Sequence, residues 1–322
     1  MADNQYFYAV ARIRSKELLL LTQADIEQLM SYKSEKECIR FLMDKGWGKT
    51  GEENAEQILT AEKEKTWGLM RELVEDMSIF NTFLYSTDFH NLKAAIKQVY
   101  KDSSLESIYL FDGTVEPELI LNAIKEQDFS LLPAHLRKCA EEAYQVQMHT
   151  GDSQLSDIII DKAALETIYE KGKASGVELI SQYVELKVAS ANINIAIRCY
   201  KTKKDRSFIQ RALVPCDSLD VKVLTDAILE GEEAIYHYLE STVYADAVPA
   251  LKRSSSAFES WCDNLIITHM RPQKYNPFTV SPLVAYVLAR ENEIKTVRII
   301  LSGKRNDIAD SSIRERLRVM YV

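Results

Sequence analysis

The stretch Asp88–Lys101, DFHNLKAAIKQVYK, recurs along this chain at a fixed interval, and that interval constrains the fold more than any other feature. At helical spacing, Leu92, Ala95, Ile96 and Val99 form one apolar stripe, with Lys93, Lys97 and Lys101 on another face. A step of 101 residues turns the stripe into Ile193, Ala196, Ile197 and Tyr200, and turns Asn91 into Asn192. A second step gives Ile294, Val297, Arg298 and Leu301, with Glu293 in the place of the asparagine. Two equal steps that keep register point to three copies of one helical unit.

Composition agrees with helices. The chain has 322 residues with only 10 Gly and 7 Pro, well below the roughly 12 % of an average protein. Helix interiors tolerate neither residue. Hydrophobic residues make up 46 %, enough for packed cores, and the length exceeds that of a usual single core. The expected fold class is all-α.

Taken in order, Tyr6–Leu21 reads as a first helix carrying the basic patch Arg12, Arg14 and Lys16. Thr22-x-x-Asp25 and Ser34-x-x-Glu37 open the two helices of a hairpin that closes near Gly46-Trp47-Gly48. Glu52 to about Leu84 is expected to be one long helix. Ser86, Thr87 or Asp88 is then the cap of the first organising helix.

The second copy opens near Leu110-Phe111-Asp112-Gly113, with Pro117 in a first helical turn. Helices follow over about 130–144, 161–172 and 177–200, with a loop at Thr150-Gly151-Asp152 and a bend at Gly176. The third copy opens at Leu213–Asp217 and breaks near Gly231. It continues as a helix over 250–270, a loop at Arg271–Phe278, and a helix from Ser281 to a stop at Gly303. Ser312-x-x-Glu315 caps a last short helix. Cutting after each organising helix gives domains 1–104, 105–206 and 207–322. A permuted cut, pairing the N-terminal helix with the C-terminal segment, satisfies the sequence equally.

Net charge is −8, which argues against a nucleic-acid binder, whose surface must be dominantly basic. The charge is uneven: from Ile294 to the end there are seven Lys/Arg and three Asp/Glu. A basic end on an acidic body suits oriented docking, and Lys295, Arg298, Lys304 and Arg305 are the candidate partner-binding residues. Arg298 fills the slot of Ile96 and Ile197. Either the helix rolls, so that Val297, Ile300 and Leu301 take the core face, or a charged face meets a partner. Asn91 and Asn192 read as interior polar groups bonding a neighbouring helix end.

No motif for chemistry is present. Phosphate-cradling glycine loops, a G-x-S-x-G elbow, metal-spaced His/Cys sets and D-D-x-x-D clusters are all missing. The expectation is no catalytic residue, no metal and no cofactor. Five cysteines without C-x-x-C spacing read as reduced thiols. No uncharged run reaches the roughly 20 residues of a membrane span, so attachment to a membrane is expected through other proteins and not by insertion.

The segments DFHNLK at Asp88–Lys93, ENEIKTVRIILSGK at Glu291–Lys304 followed by IRERL, and YAVARIRSKE opening at Tyr8 resemble the C subunit of bacterial and archaeal V/A-type ATPases, the counterpart of the d subunit of eukaryotic vacuolar ATPases. The middle copy departs most, with Asn194 in place of Lys93. The resemblance implies three similar helical bundles around a pseudo-threefold axis, forming a funnel. It implies a non-catalytic rotor subunit on the cytoplasmic side of the membrane. Such a subunit joins the central-stalk shaft to the proteolipid ring during ATP-linked proton or sodium transport. The alternative is a helical-repeat adaptor that binds another partner in its concave face; an isoprenoid-type enzyme ranks third.

Overall fold

A computed structural model describes residues 6–49, 54–101 and 108–322, and among these it contains helices and no strand. The first stretch carries α1 (Phe7–Glu17), α2 (Gln23–Ser31), α3 (Glu35–Asp44) and α4 (Ala55–Leu73). Then come α5 (Asn81–Lys101), α6 (Pro117–Glu126), α7 (Ala134–Thr150), α8 (Ser153–Ala174) and α9 (Glu178–Lys201). The remainder holds α10 (Arg206–Ala212), α11 (Val221–Glu230), α12 (Glu232–Glu240), α13 (Val248–Arg253), α14 (Ser255–Met270), α15 (Ser281–Arg305) and α16 (Asp310–Arg314).

The chain parts into two compact units. One comprises Met1–Met77, Val177–Ile180 and Asp246–Val322; the other comprises Ser78–Gly176 and Ser181–Ala245. In the first, α15 packs against α1, α2, α3, α4, α14 and α16. Its Val297, Ile300 and Leu301 enter a core with Ile26, Leu29, Leu42 and Ile58. In the second, α5 packs against α6, α7 and α8. Its Leu92, Ala95 and Ile96 meet Ile120, Ala123, Leu136 and Ala140. The stripe of the repeat is therefore the buried face of its helix in both units.

Both capping boxes form as the sequence indicates. Thr22 and Ser34 accept from the amides of Asp25 and Glu37, whose carboxylates reach back to the cap amides. Gly46 and Gly48 close the hairpin at positive φ, a conformation glycine adopts without steric cost.

Several boundaries differ from the sequence reading. The long helix expected to Leu84 ends at Leu73, and Val74 is extended. Its expected start at Glu52, like the division at 104, lies outside the described residues. Thr87 and Asp88 lie inside α5, buried, because the helix starts at Asn81 and Asp88 serves a different segment. The helix expected from 161 begins at Ser153, capped by Asp152. The helix expected over 250–270 is interrupted at Ser254, which caps α14. Gly303 does not stop its helix: α15 continues to Arg305, and a Cβ at Gly303 would come within 2.5 Å of Ile313. Ser312 sits within α16 and caps nothing, the cap position being Ala309.

Candidate functional site

The three positions related by the 101-residue step do the same work. Asn91 donates Nδ2 to the Leu110 carbonyl at 2.7 Å and accepts from the Leu110 amide at 2.9 Å. Asn192 donates to the Val214 carbonyl at 2.7 Å and accepts from the Val214 amide at 3.0 Å. Both asparagines are fully buried. A primary amide offers donor and acceptor side by side, so it can pair both backbone groups of a single residue. Each clamp fixes the chain just ahead of the next helical hairpin. The sequence reading sets these asparagines against a helix end; they hold the extended approach to it.

Glu293, in the third copy, accepts from the Leu21 amide. A carboxylate has no proton to give a carbonyl, and its second oxygen is instead met by Arg290. Arg290 also binds Glu62, lies over the Trp47 ring at 5.1 Å, and contacts the Thr66 hydroxyl at 3.3 Å. Lys65 reaches the other oxygen of Glu62 at 2.6 Å. Burial pushes the Glu293 carboxyl up, against the pull of Arg290 and the Leu21 amide. Arg290 is itself held cationic, because its carboxylate neighbours outweigh desolvation. The sequence carries a signal for this cluster: a glutamate in an asparagine slot, with an arginine one turn earlier.

Two further carboxylates pin turns. Asp88, fully buried, accepts from the Thr114 amide at 2.7 Å and the Val115 amide at 3.1 Å, with His135 at 3.3 Å. A Cβ at Gly113 would lie 2.3 Å from that carboxylate, so this close approach requires glycine. Glu185 on α9 accepts from the Ser218 hydroxyl at 2.6 Å, the Ser218 amide at 2.9 Å and Tyr169 at 2.8 Å, with Lys173 at 3.0 Å. Burial opposes its ionisation, but these donors prevail and hold its carboxyl down to about 2.

The four candidate partner-binding cations all lie on α15 with intramolecular contacts. Lys295 pairs with Asp263 at 2.6 Å and Arg298 with Glu56 at 3.1 Å. Arg305 grips Glu35, at 2.5 Å for the nearest contact. Lys304 bonds the Met30 carbonyl at 2.9 Å and Asp310 at 2.8 Å, and its side chain is 6 % exposed. The other three are exposed. Arg298 stands exposed outside the core while Val297, Ile300 and Leu301 fill it, a placement compatible with both alternatives.

A cleft of about 490 Å³ lies beside α7 and α8, floored by Cys139, Val146, Ile158 and Ile159 and edged by Lys138, Glu142, Lys162 and Glu166. Burial raises the Glu166 carboxyl, partly offset by Lys162. No group of acids, histidines and cysteines able to hold a metal occurs among the described residues. None of the five cysteines is joined in a disulfide. Burial pushes the Cys38 thiol up to about 11 and that of Cys139 up to about 12, so neither is a thiolate near neutral pH. No helix among the described residues is long and apolar enough to cross a membrane.

A family model described as ATP synthase (C/AC39) subunit matches residues 9–316. The C subunit of the V-type sodium ATPase of Enterococcus hirae is 23 % identical over 318 residues, covering 96 % of this chain and 97 % of the relative. The C subunit of the A-type ATP synthase of Methanocaldococcus jannaschii is 22 % identical, covering 97 % and 86 %. The C subunit of the V-type ATP synthase of Thermus thermophilus is 22 % identical, covering 95 % of both chains. With a match over nearly its whole length, the chain belongs to the ATP synthase (C/AC39) subunit family, a structural and not a catalytic subunit of V/A-type rotary ATPases.

Proposed function

We propose that this protein is a rotor socket on the cytoplasmic side of the membrane. It would receive the tip of the central-stalk shaft and connect it to the proteolipid ring during ATP-linked proton or sodium transport. The carrying observation is the family match over residues 9–316. The internal build supports it. A coupling element must resist torsion, and close-packed helices deform little. Clamps from the helices at 91, 192 and 293 tie the segments at 110, 214 and 21 to them. We extend the proposal to a threefold division of the chain. Domains 1–104, 105–206 and 207–322 express it in sequence order. The clamps favour the permuted cut, because each organising helix holds the approach to the hairpin after it, and the last holds Leu21.

The test is fractionation of membranes with and without the proteolipid ring. The protein is expected to pellet with the ring and with other ATPase subunits, and to leave the membrane when the ring is missing. If it stays in the supernatant in both cases and copurifies with no ATPase component, the socket reading fails.

A further inference from the structure

The basic patch on α1 is not absorbed by the socket role, and the fold surrounds it with exposed aromatic rings. Phe7 and Phe278 meet edge to face, centroids 5.4 Å apart. Tyr8 is 65 % exposed and Tyr275 is 89 % exposed. The 3-10 turn Arg271–Tyr275 and the residues after it are fastened to α1: Arg14 donates to the Gln273 carbonyl at 2.6 Å and the Asn276 carbonyl at 3.0 Å. Asn276 adds bonds to Gln273 at 3.1 Å and Thr279 at 2.8 Å. The aromatic tips are thus carried on a braced turn.

Within these two segments the charge is mostly positive, although Glu62 and Glu72 of α4 line a cleft with Arg12 and Lys16. Helix α1 and Arg271–Val280 together hold Arg12, Arg14, Lys16, Arg271 and Lys274 against one carboxylate, Glu17, on a chain of net charge −8. Glu17 is buried under Arg14, which contacts both its oxygens at 2.8 Å. Arg12 spends part of its charge on Glu72 at 3.1 Å and lies over the Tyr8 ring. The Lys274 ammonium is held below its usual range, first by burial and then by Arg271 and Arg14, which fits a crowded positive surface.

We infer that the surface formed by Phe7 and Tyr8 of α1 with Tyr275 and Phe278, together with the cations Arg12, Lys16, Arg271 and Lys274 of the same two segments, docks on the headgroup layer of an anionic lipid bilayer. Aromatic side chains flanked by cations suit the boundary between headgroups and acyl chains, where one end of the ring is apolar and the other wet. Cations near an anionic leaflet add attraction that fades within a Debye length. Tyr275 protrudes, and a bilayer receives a protruding ring without a matching pocket. The contact is interfacial and crosses nothing. It is independent of the socket reading, because its test contains no other subunit.

The experiment uses the purified full chain and sedimentation with vesicles of phosphatidylcholine alone or with phosphatidylserine added. Binding is expected to the anionic vesicles, to weaken with salt, and to be much lower on the neutral ones. Arg271→Gln and Lys274→Gln are each expected to weaken binding by about fivefold. The double substitution Tyr275→Ser with Phe278→Ser removes one exposed and one half-exposed ring, the latter with its contact to Phe7, so the helical circular dichroism should be unchanged while binding drops. Absence of wild-type binding, equal binding to neutral vesicles, or full binding by the ring-deleted variant each overturns the inference. So does the outcome in which the variants bind vesicles normally but lose a protein partner, which assigns the patch to protein docking.

Discussion

Asn91, Asn192 and Glu293 show how one helical position can hold the same joint with two chemistries. Removing the amide at 192 strands both the N–H and the C=O of Val214, which is 1 % exposed. Asn192→Leu is therefore expected to cost about 2–6 kcal/mol, since each of the two buried unpaired groups costs about 1–3 kcal/mol, read as a lower urea midpoint. The third joint depends on a buried cation. Arg290→Met leaves Glu293 buried without its cation, while Glu62 keeps Lys65, and such an uncompensated buried charge costs about 3–5 kcal/mol. The folded variant then binds protons more tightly than the unfolded chain, so its stability should rise as pH falls. An unchanged deficit from neutral to mildly acid pH would contradict that account. Glu185 has the opposite sign. Its folded carboxyl is depressed to about 2 from 4.5, so its contribution is complete above 4.5 and disappears as pH falls toward 2. Glu185→Gln should lower the melting temperature at neutral pH and approach the wild type in acid.

At the scale of elements, two glycines inside helices make opposite forecasts. A Cβ on Gly172 of α8 would lie 2.3 Å from one methyl of Val184 on α9 and 3.1 Å from its Cβ. Valine is stiff at χ1, so the clash must separate backbones. Gly172→Ala should destabilise by about 1–3 kcal/mol despite its better helix propensity. Gly68 in α4 meets nothing within 4 Å, and Gly68→Ala should stabilise by about 0.5–1 kcal/mol. Thermal melts of the two variants should move in opposite directions; movement in the same direction would refute the packing argument. Such close approaches mark where sequence reading runs out. The apolar stripes, the capping boxes at Thr22 and Ser34 and the breaks at Gly176 and Gly231 are legible, because each is a local pattern acting within one or two turns. The break after Leu73 is not, since Val74–Asp76 holds neither glycine nor proline. Asp88 misleads for a related reason: a buried carboxylate serving Thr114 looks, in one dimension, like a cap. The pairing of Arg290 with Glu62 joins residues 228 apart and exists only in three dimensions. At Gly303 the sequence shows a stop signal where the fold needs a missing side chain.

For the whole molecule, the open matter is which face of α15 a partner reads. Lys295, Arg298 and Arg305 each hold an ion pair at the surface, with Asp263, Glu56 and Glu35. Exposed pairs of this kind contribute little to folding, because water and salt screen them. Lys304 differs: its side chain is almost covered and bonds the Met30 carbonyl, so altering it perturbs the end of α2. Charge reversal at Arg298 or Arg305 is therefore the clean probe, and Lys304 is the poor one. If these cations meet an acidic partner in the assembled ATPase, Arg298→Glu combined with Arg305→Glu should leave the protein folded, with an unchanged melting curve. ATP hydrolysis should then proceed with reduced ion pumping, or the soluble head should come away from the membrane at lower salt than in the wild type. A screened ionic contact also predicts that raising the salt concentration reproduces the defect in the unaltered complex. Full coupling in the double variant, across the same salt range, would remove these residues from the interface and leave their pairs as surface contacts within the chain.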